Sequence, residues 1–340
     1  MAKKTTIYDI AKKLNITAAT VSRALNNNPK ISKKTKELVF KTASGMNYEQ
    51  NKLAQALKSG KSFNVGVIVP RIDSNFFSSV IRGIEEELYP EGYHVIICQT
   101  HDQQELEIKN INSLLNAQVD GILMSISNAK LETNAVFNNL VKKNVPLIFF
   151  DRKKDIKNVS SITIDDFKGG YEATSHLIHQ GCKRIAHLSN NRNLEIFKNR
   201  YLGYKQALLD NNIPFDESLV VETFSKVIEG REKTKLLLQM DNPPDAIFSS
   251  SDFSALGAIE EIKENGLRIP EDICVVGFSN EPFTKFMELS ISSIDQSPME
   301  MGKIAARMFL EEVASEVKVK LEKHIVLTPT LIARKSSLKV

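Results

Sequence analysis

The sequence predicts an α/β protein in two parts: a basic N-terminal headpiece of three short helices in a helix-turn-helix arrangement, joined by a further short connecting helix to a large body of two doubly wound lobes. Three observations carry this reading. Lys and Arg outnumber Asp and Glu by 13 to 3 in residues 1–62, while the remainder holds 32 against 38, so a unit of charge +10 precedes one of −6. Within the first unit, apolar residues recur at helical spacing between capping residues. From Asn64 onward, short apolar runs alternate with helical patterns, as parallel sheets covered by helices require. A length of 340 residues accommodates two or three folded units, and 42% hydrophobic against 25% charged residues argues for packed cores rather than disorder.

The first helix starts at Thr6, whose Thr-x-x-Asp spacing to Asp9 is a variant of the capping box, and it presents Ile7, Ile10, Ala11 and Leu14 on one face. Asn15 falls at the turn, where a residue tolerant of the left-handed conformation is needed. Thr17 caps a second helix over 18–26, with Val21 and Leu25 inward and Ala18, Ala19, Thr20, Ser22 and Arg23 left on other faces. That is the geometry of a recognition helix. Ser32 caps a third helix that carries Leu38, Val39 and Ala43 inward and stops at Gly45. Residues 51–58, closed by Ser59-Gly60, make only about two turns, too few to be stable alone in water. They need DNA or a partner to fold, or else they pack Leu53 and Leu57 on the body.

Strand-like runs follow at 65–69, 94–98, 121–124, 146–150, 185–188, 246–248 and 274–276. Helical patterns occupy 77–88, 104–116, 134–143, 168–179, 200–209, 230–239, 254–264 and 298–312. The alternation pauses at 155–161, which divides the body into two similar lobes with a cleft between them. Ligands of such folds bind outside the carboxyl ends of the strands.

The blocks Thr6-Ile7-Tyr8-Asp9-Ile10-Ala11, Thr20-Val21-Ser22-Arg23-Ala24-Leu25-Asn26, Asn47-Tyr48 and Leu53-Ala54-Gln55-Ala56-Leu57 resemble the lactose/galactose repressor (LacI/GalR) family of transcription regulators. The resemblance implies double-stranded, near-palindromic operator DNA as partner and divides the chain into a DNA-binding domain over 1–49, a hinge helix over 50–61 and an effector-binding and dimerisation domain over 62–340. It places Ala18, Ala19 and Arg23 at base edges in the major groove. Arg23 can donate two parallel bonds to guanine, whereas the alanines offer only apolar contact. Ala54 and Leu57 would reach bases from the hinge, Leu57 as a wedge prying open a central step from the minor groove. Thr6, Thr17, Thr20, Ser22, Asn26, Ser32, Thr35, Tyr48 and Asn51 would contact phosphates, fixing register without reading sequence. For Thr6, Thr17 and Ser32 a plain capping role competes with the DNA one.

The likeness continues to the C-terminus through Val67-Ile68-Val69-Pro70, Asn199-Arg200-Tyr201-Leu202-Gly203-Tyr204, Ser251-Asp252-Phe253-Ser254, Ile294-Asp295-Gln296 and Thr328-Pro329-Thr330-Leu331-Ile332-Ala333-Arg334. The body thereby resembles the periplasmic-binding-protein type I fold, with which this family senses small molecules. Carried over by position, Phe76 and Phe77 wall the cleft, Asp151 accepts from ligand hydroxyls, Arg200 clamps a polar group and Phe224 stacks on a ring. Ile196, with Leu194, makes that wall more apolar than a sugar needs. Ser251 stands where the family often has Asn, and Ser279 where many members have an Asp that binds hydroxyls. Either Asn280 or a water then substitutes, or the effector is less hydroxyl-rich. As the lesser alternative, Phe76 and Phe77 read as core; Asp252 reads as a helix N-cap.

Other function classes find little support. No apolar segment approaches membrane-spanning length and no export signal opens the chain, so a cytoplasmic location without a membrane partner is expected. A free-standing sugar-transport protein would carry that signal and lack the basic headpiece. Cys98, Cys182 and Cys274 stand too far apart for a disulfide framework or zinc spacing and read as buried thiols. Gly60-Lys61-Ser62 echoes a phosphate-binding loop, but Gln55 occupies the place of its first glycine. The six histidines show no metalloprotease spacing, although His176 and His179 share a helix face. Neither an enzymatic activity nor a cofactor or metal is expected. A homodimer is, because two-fold proteins read near-palindromic sites, and no heptad tail after Ser337 points to higher assembly.

Overall fold

The computed structural model describes residues 5–48, 60–127, 135–315 and 322–339. Contacts divide the chain into two units, Met1–Ser62 and Phe63–Val340. The first holds α1 (Ile7–Leu14), α2 (Ala18–Leu25) and α3 (Lys33–Gly45). The caps are local and complete. Thr6 Oγ1 accepts from Asp9 N–H while Asp9 accepts from Thr6 N–H, closing a capping box; Thr17 accepts from Thr20 N–H and Ser32 from Thr35 N–H. Each such cap stabilises its helix by about 1 kcal/mol. Asn15 ends α1 at φ +50°. Ile10, Ala11, Val21, Ala24, Val39 and Ala43 form the headpiece core, with Leu25 only partly buried. Leu38 corrects the sequence reading: it lies 50% exposed, because Val39 and Ala43 already fill the inward stripe of α3.

The body contains two six-stranded sheets. One runs β2 (His94–Gln99), β1 (Asn64–Val69), β3 (Gly121–Met124), β4 (Leu147–Phe150), β5 (Ser160–Ile164) and β11 (His324–Leu327), all parallel. The other runs β7 (Val220–Glu222), β6 (Ile185–Ser189), β8 (Ala246–Ser249), β9 (Cys274–Phe278), β10 (Ser292–Asp295) and β12 (Thr330–Ile332), with only β12 antiparallel. Helices α4 (Asn75–Leu88), α5 (Gln104–Asn116) and α6 (Ala135–Lys142) follow strands of the first sheet. Helices α7 (Asp166–His179), α8 (Glu195–Asp210), α9 (Val227–Leu238), α10 (Asp252–Glu264) and the short α11 (Phe283–Phe286) accompany the second; α12 (Pro298–Ala314) returns to pack on α4.

The lobes are not successive segments. The chain crosses from β5 to α7, back from β10 to α12 and forward again from β11 to β12, so three strands link the lobes. The expected boundary at 155–161 is therefore displaced: that stretch leads into β5, still in the first sheet, and the crossing comes at Ile164–Asp166. Three helix pairs, α4 with α12, α7 with α8 and α9 with α10, touch backbone to backbone through reciprocal glycines. A methyl on Gly203 would fall on the Phe167 carbonyl oxygen, and one on Gly170 on that of Arg200, so α8 is held tight against α7 at the residue that bears the Arg200 side chain. Cys182 and Cys274 are buried; Cys98 is only half-buried.

Candidate functional site

On the headpiece, α2 packs through Val21 and Ala24 and leaves Ala19 and Arg23 exposed, while Ala18 is half-buried against the core. Thr17 and Thr20 share a hydroxyl contact at 2.9 Å, Ser32 and Thr35 one at 2.8 Å, and Asn26 Nδ2 donates to the Ser22 carbonyl at 2.9 Å. Thr6, Thr17 and Ser32 thus do serve as caps, and their hydroxyls remain at the surface. Tyr48 packs beside the core, and burial raises its phenol pKa. Asn51, Ala54 and Leu57 lie outside the described residues.

In the body, one cleft between the lobes gathers all eight residues that the sequence picked out: Phe76, Phe77, Asp151, Ile196, Arg200, Phe224, Ser251 and Ser279. The cavity measures about 170 Å³ and adjoins a second of about 350 Å³ through the shared walls Asp151, Arg152 and Ile196. Nearly every lining residue follows the carboxyl end of a strand: Arg71 after β1, Asp102 after β2, Asp151 after β4, Asn190 after β6, Ser250 after β8, Ser279 after β9 and Gln296 after β10. Asp151, Ser225 and Ser279 hold positive φ there, at +61°, +56° and +110°, conformations that residues with a side chain rarely adopt and that cluster at functional sites.

Arg200 is the best-fixed cation of the cleft. It is only 3% exposed; its Nε donates to Asp166 at 2.7 Å, Nη1 to the Ser250 carbonyl at 3.0 Å and Nη2 to Gln296 at 3.3 Å, and its Cζ lies 3.6 Å from the Phe278 ring centre. Three of its five N–H donors are used in these bonds. Burial pushes Asp166 up to about 7 in spite of that guanidinium. Across the cleft, Asp151 accepts from Ser125 Oγ at 3.0 Å, with Arg152 Nε 3.7 Å away, while Arg152 Nη1 donates to Asp102 at 2.6 Å. Burial also raises the Asp151 carboxyl. The Ser250 hydroxyl is buried on the cavity wall without a hydrogen-bond partner.

Phe76 and Phe77 meet edge to face at 5.1 Å and belong at once to the core and to the cavity wall, so both sequence readings hold. Phe224 lines the cavity and is 56% exposed. Leu194, Ile196 and Phe197 form a small apolar cluster, as the residue types suggested. Two expectations fail. Asp252 is not the cap of α10; Ser251 is, through Phe253 N–H, and Asp252 instead accepts from Glu281 N–H at 2.8 Å and Ser293 Oγ at 2.7 Å. Asn280 cannot stand in for a carboxylate at position 279, since its amide bonds Asp295 at 2.6 Å and Arg334 at 2.7 Å. The carboxylate that this loop does bring to the cleft is Glu281, which sequence reasoning missed. Among the described residues no group of three or more His, Cys, Asp or Glu could hold a metal, and no helix is long and apolar enough to cross a membrane.

Comparison with known proteins agrees with the fold. The bacterial regulatory proteins of the lacI family match residues 6–51, and the periplasmic binding protein-like domain matches residues 174–337. The HTH-type transcriptional regulator DegA of Bacillus subtilis is 31% identical over 98% of both chains. Among solved structures, the lac repressor dimer bound to operator and the anti-inducer ONPF superposes with a TM-score of 0.87 at 26% identity, covering 99% of this chain and 100% of that one. The transcriptional regulator CelR–cellobiose complex gives 0.73 at 25% identity over 98% and 100%. A helix-turn-helix headpiece and a two-lobed cleft are thus combined in one chain as they are in those regulators, and the chain belongs to the LacI family of bacterial transcriptional regulators.

Proposed function

We propose that this regulator binds near-palindromic operator DNA as a homodimer in the cytoplasm, through a domain over 1–49 and a hinge helix over 50–61, and that a small effector in the cleft of 62–340 sets its affinity. The exposure of Arg23 and Ala19 on a helix whose other face is buried, at the basic end of the chain, is the observation that carries the DNA half. Arg23 reads guanine, Ala18 and Ala19 make apolar contacts, the threonines, serines and asparagines around them meet phosphates, and Leu57 with Ala54 acts from the paired hinges. A structure solved with operator and one solved with cellobiose, both similar along nearly the whole chain, support the two partners.

For the effector, the cavity chemistry favours a ring bearing hydroxyls: Asp151 accepts, the spare N–H groups of Arg200 and the Ser250 hydroxyl donate, and Phe224 covers one face. Effector binding alters lobe packing across the dimer and thereby stabilises or melts the hinge pair, since a ligand shifts an equilibrium only by its preference between states. No chemical step is required of the cleft. The test selects duplexes from a random pool at low ionic strength, then measures affinity for the selected site with and without sugars and related metabolites that raise the melting temperature. Enrichment of a near-palindrome and an effector-dependent affinity are expected. A pool that stays unselected overturns the DNA half, and a library without any stabilising metabolite overturns the effector half.

A further inference from the structure

Gln296 joins two polar groups of the cleft, and the chemistry of its partners fixes the direction of both bonds. It stands where β10 leads into α12, is only 3% exposed and lines the smaller cavity together with Arg200 and Ser279. Its Oε1 accepts from Arg200 Nη2 at 3.3 Å, and its Nε2 donates to Ser279 Oγ at 2.9 Å. The reverse orientation of the amide is excluded, because a guanidinium only donates and would then face the amide nitrogen. The Ser279 oxygen therefore accepts, and its own proton must point away from Gln296. Among the described residues no protein acceptor takes that proton, while Ser279 is half-buried on the cavity wall. The backbone holds the hydroxyl in place: Ser279 sits at φ +110° with its N–H on the Ile294 carbonyl at 2.9 Å.

We propose that Gln296 orients Ser279 as a donor, so that this corner of the cleft selects an effector carrying a proton-free oxygen, that of a carbonyl or a carboxylate. Such an oxygen offers its lone pairs to the Ser279 O–H at no further cost. A ligand hydroxyl can accept there too, but its own proton then needs an acceptor, and neither the guanidinium nor Gln296, whose oxygen faces Arg200, supplies one. Across the cleft Asp151 accepts, so the effector inferred is a ring with hydroxyls on one side and a carbonyl or carboxylate oxygen on the other. The carboxyls near this corner do not bar an anion: burial pushes Asp166 and Glu281 up to about 7, so near neutral pH neither carries a full charge. Gln296 is a positioning residue, which sets the direction of the Ser279 hydroxyl without having to touch the effector. The inference rests on the effector reading above and narrows it to a class of ligand.

The test is calorimetric titration of the full-length protein with matched trios, each an aldohexose, its uronate and its uronamide, in the gluco, galacto and manno series. At least one trio is expected to bind with the uronate or the uronamide roughly tenfold tighter than the parent hexose, about the worth of one satisfied hydrogen bond. The charged and neutral arms tell a carboxylate from a carbonyl. Ser279→Ala should bring the ratio close to one. Gln296→Glu turns the hydroxyl round, because its second oxygen accepts the Ser279 proton, and should abolish the preference for the neutral uronamide as well, which added charge alone would not do. Without ligand, Gln296→Glu keeps both contacts and should melt above Gln296→Met, which loses both and falls about 2–4 °C below wild type. A hexose that binds as tightly as its derivatives, a preference that survives Ser279→Ala or Gln296→Glu, or a Gln296→Met variant that melts with wild type overturns the inference and leaves the effector reading standing. Silence from all three trios overturns the inference too, and the effector reading falls with it only where the wider metabolite library is silent as well.

Discussion

Replacing Arg200 by methionine should destabilise the ligand-free protein, because the guanidinium ties buried groups together. The change keeps much of the apolar stem but strands Asp166, only 5% exposed, with no cation at 2.7 Å. Breaking one side of a buried pair costs about 3–5 kcal/mol, and losing the stack on Phe278 adds about 1–2 kcal/mol. Protonation softens this, since Asp166 already titrates at about 7 and rises further without Arg200. A net loss of about 3 kcal/mol at pH 8 follows, shrinking as the pH falls towards 6 and the carboxyl takes a proton. Urea unfolding followed by far-UV circular dichroism is the suitable assay, as the chain has no Trp. Alongside Asp166→Asn and the double variant it forms a cycle, for which a coupling of at least about 1.5 kcal/mol is expected. Additivity within about 0.5 kcal/mol would mean that the pair contributes nothing jointly and that the tie is misassigned.

Three further outcomes are expected. Gly203→Ala sets a methyl on the Phe167 carbonyl oxygen and should lower stability by about 1–3 kcal/mol by forcing α7 and α8 apart; a melting temperature equal to wild type would contradict the close approach. His187 is buried neutral, its pKa pulled from 6.5 to about 3 mainly by burial. Because the unfolded chain gains a proton below 6.5 that the folded one refuses, wild type should lose about 2 kcal/mol more than His187→Phe between pH 7 and 5, and parallel stability curves would refute this. Arg23→Met should leave headpiece helicity intact and remove about 1–3 kcal/mol of discrimination for the selected operator; an equal loss on unrelated duplexes would show that Arg23 only meets phosphate.

The parts of the fold that were legible are those whose causes are local. Thr6, Thr17 and Ser32 cap because each acceptor lies three residues from its N–H, and the central strands announce themselves as apolar runs because helices bury both faces. Strands β5 and β10 escaped notice because each carries two adjacent serines. Those serines are buried through partners far along the chain: Ser160 and Ser161 bond Lys323 N–H and His324, and Ser292 bonds Ser337 and Arg334. Hydroxyls satisfied 40 to 160 residues away look like loop residues in a sequence window. Leu38 went wrong in the opposite direction, an apolar residue on the outward face of its helix. The cleft residues were recovered by family position; Glu281 was not, because the first-lobe residues that share its cavity wall lie some 200 positions earlier in the chain.

The same kind of non-local link joins the crossovers between the lobes. Two of the three crossovers supply a partner to Arg200, Asp166 where β5 leads into α7 and Gln296 where β10 leads into α12. The third is joined to the first through Asp165 N–H, which donates to the Leu327 carbonyl at 2.9 Å. The crossovers therefore converge on one guanidinium at the cavity wall. Under the effector reading proposed above, a ligand that engages Arg200 acts on two of these crossovers without any relay through the lobes.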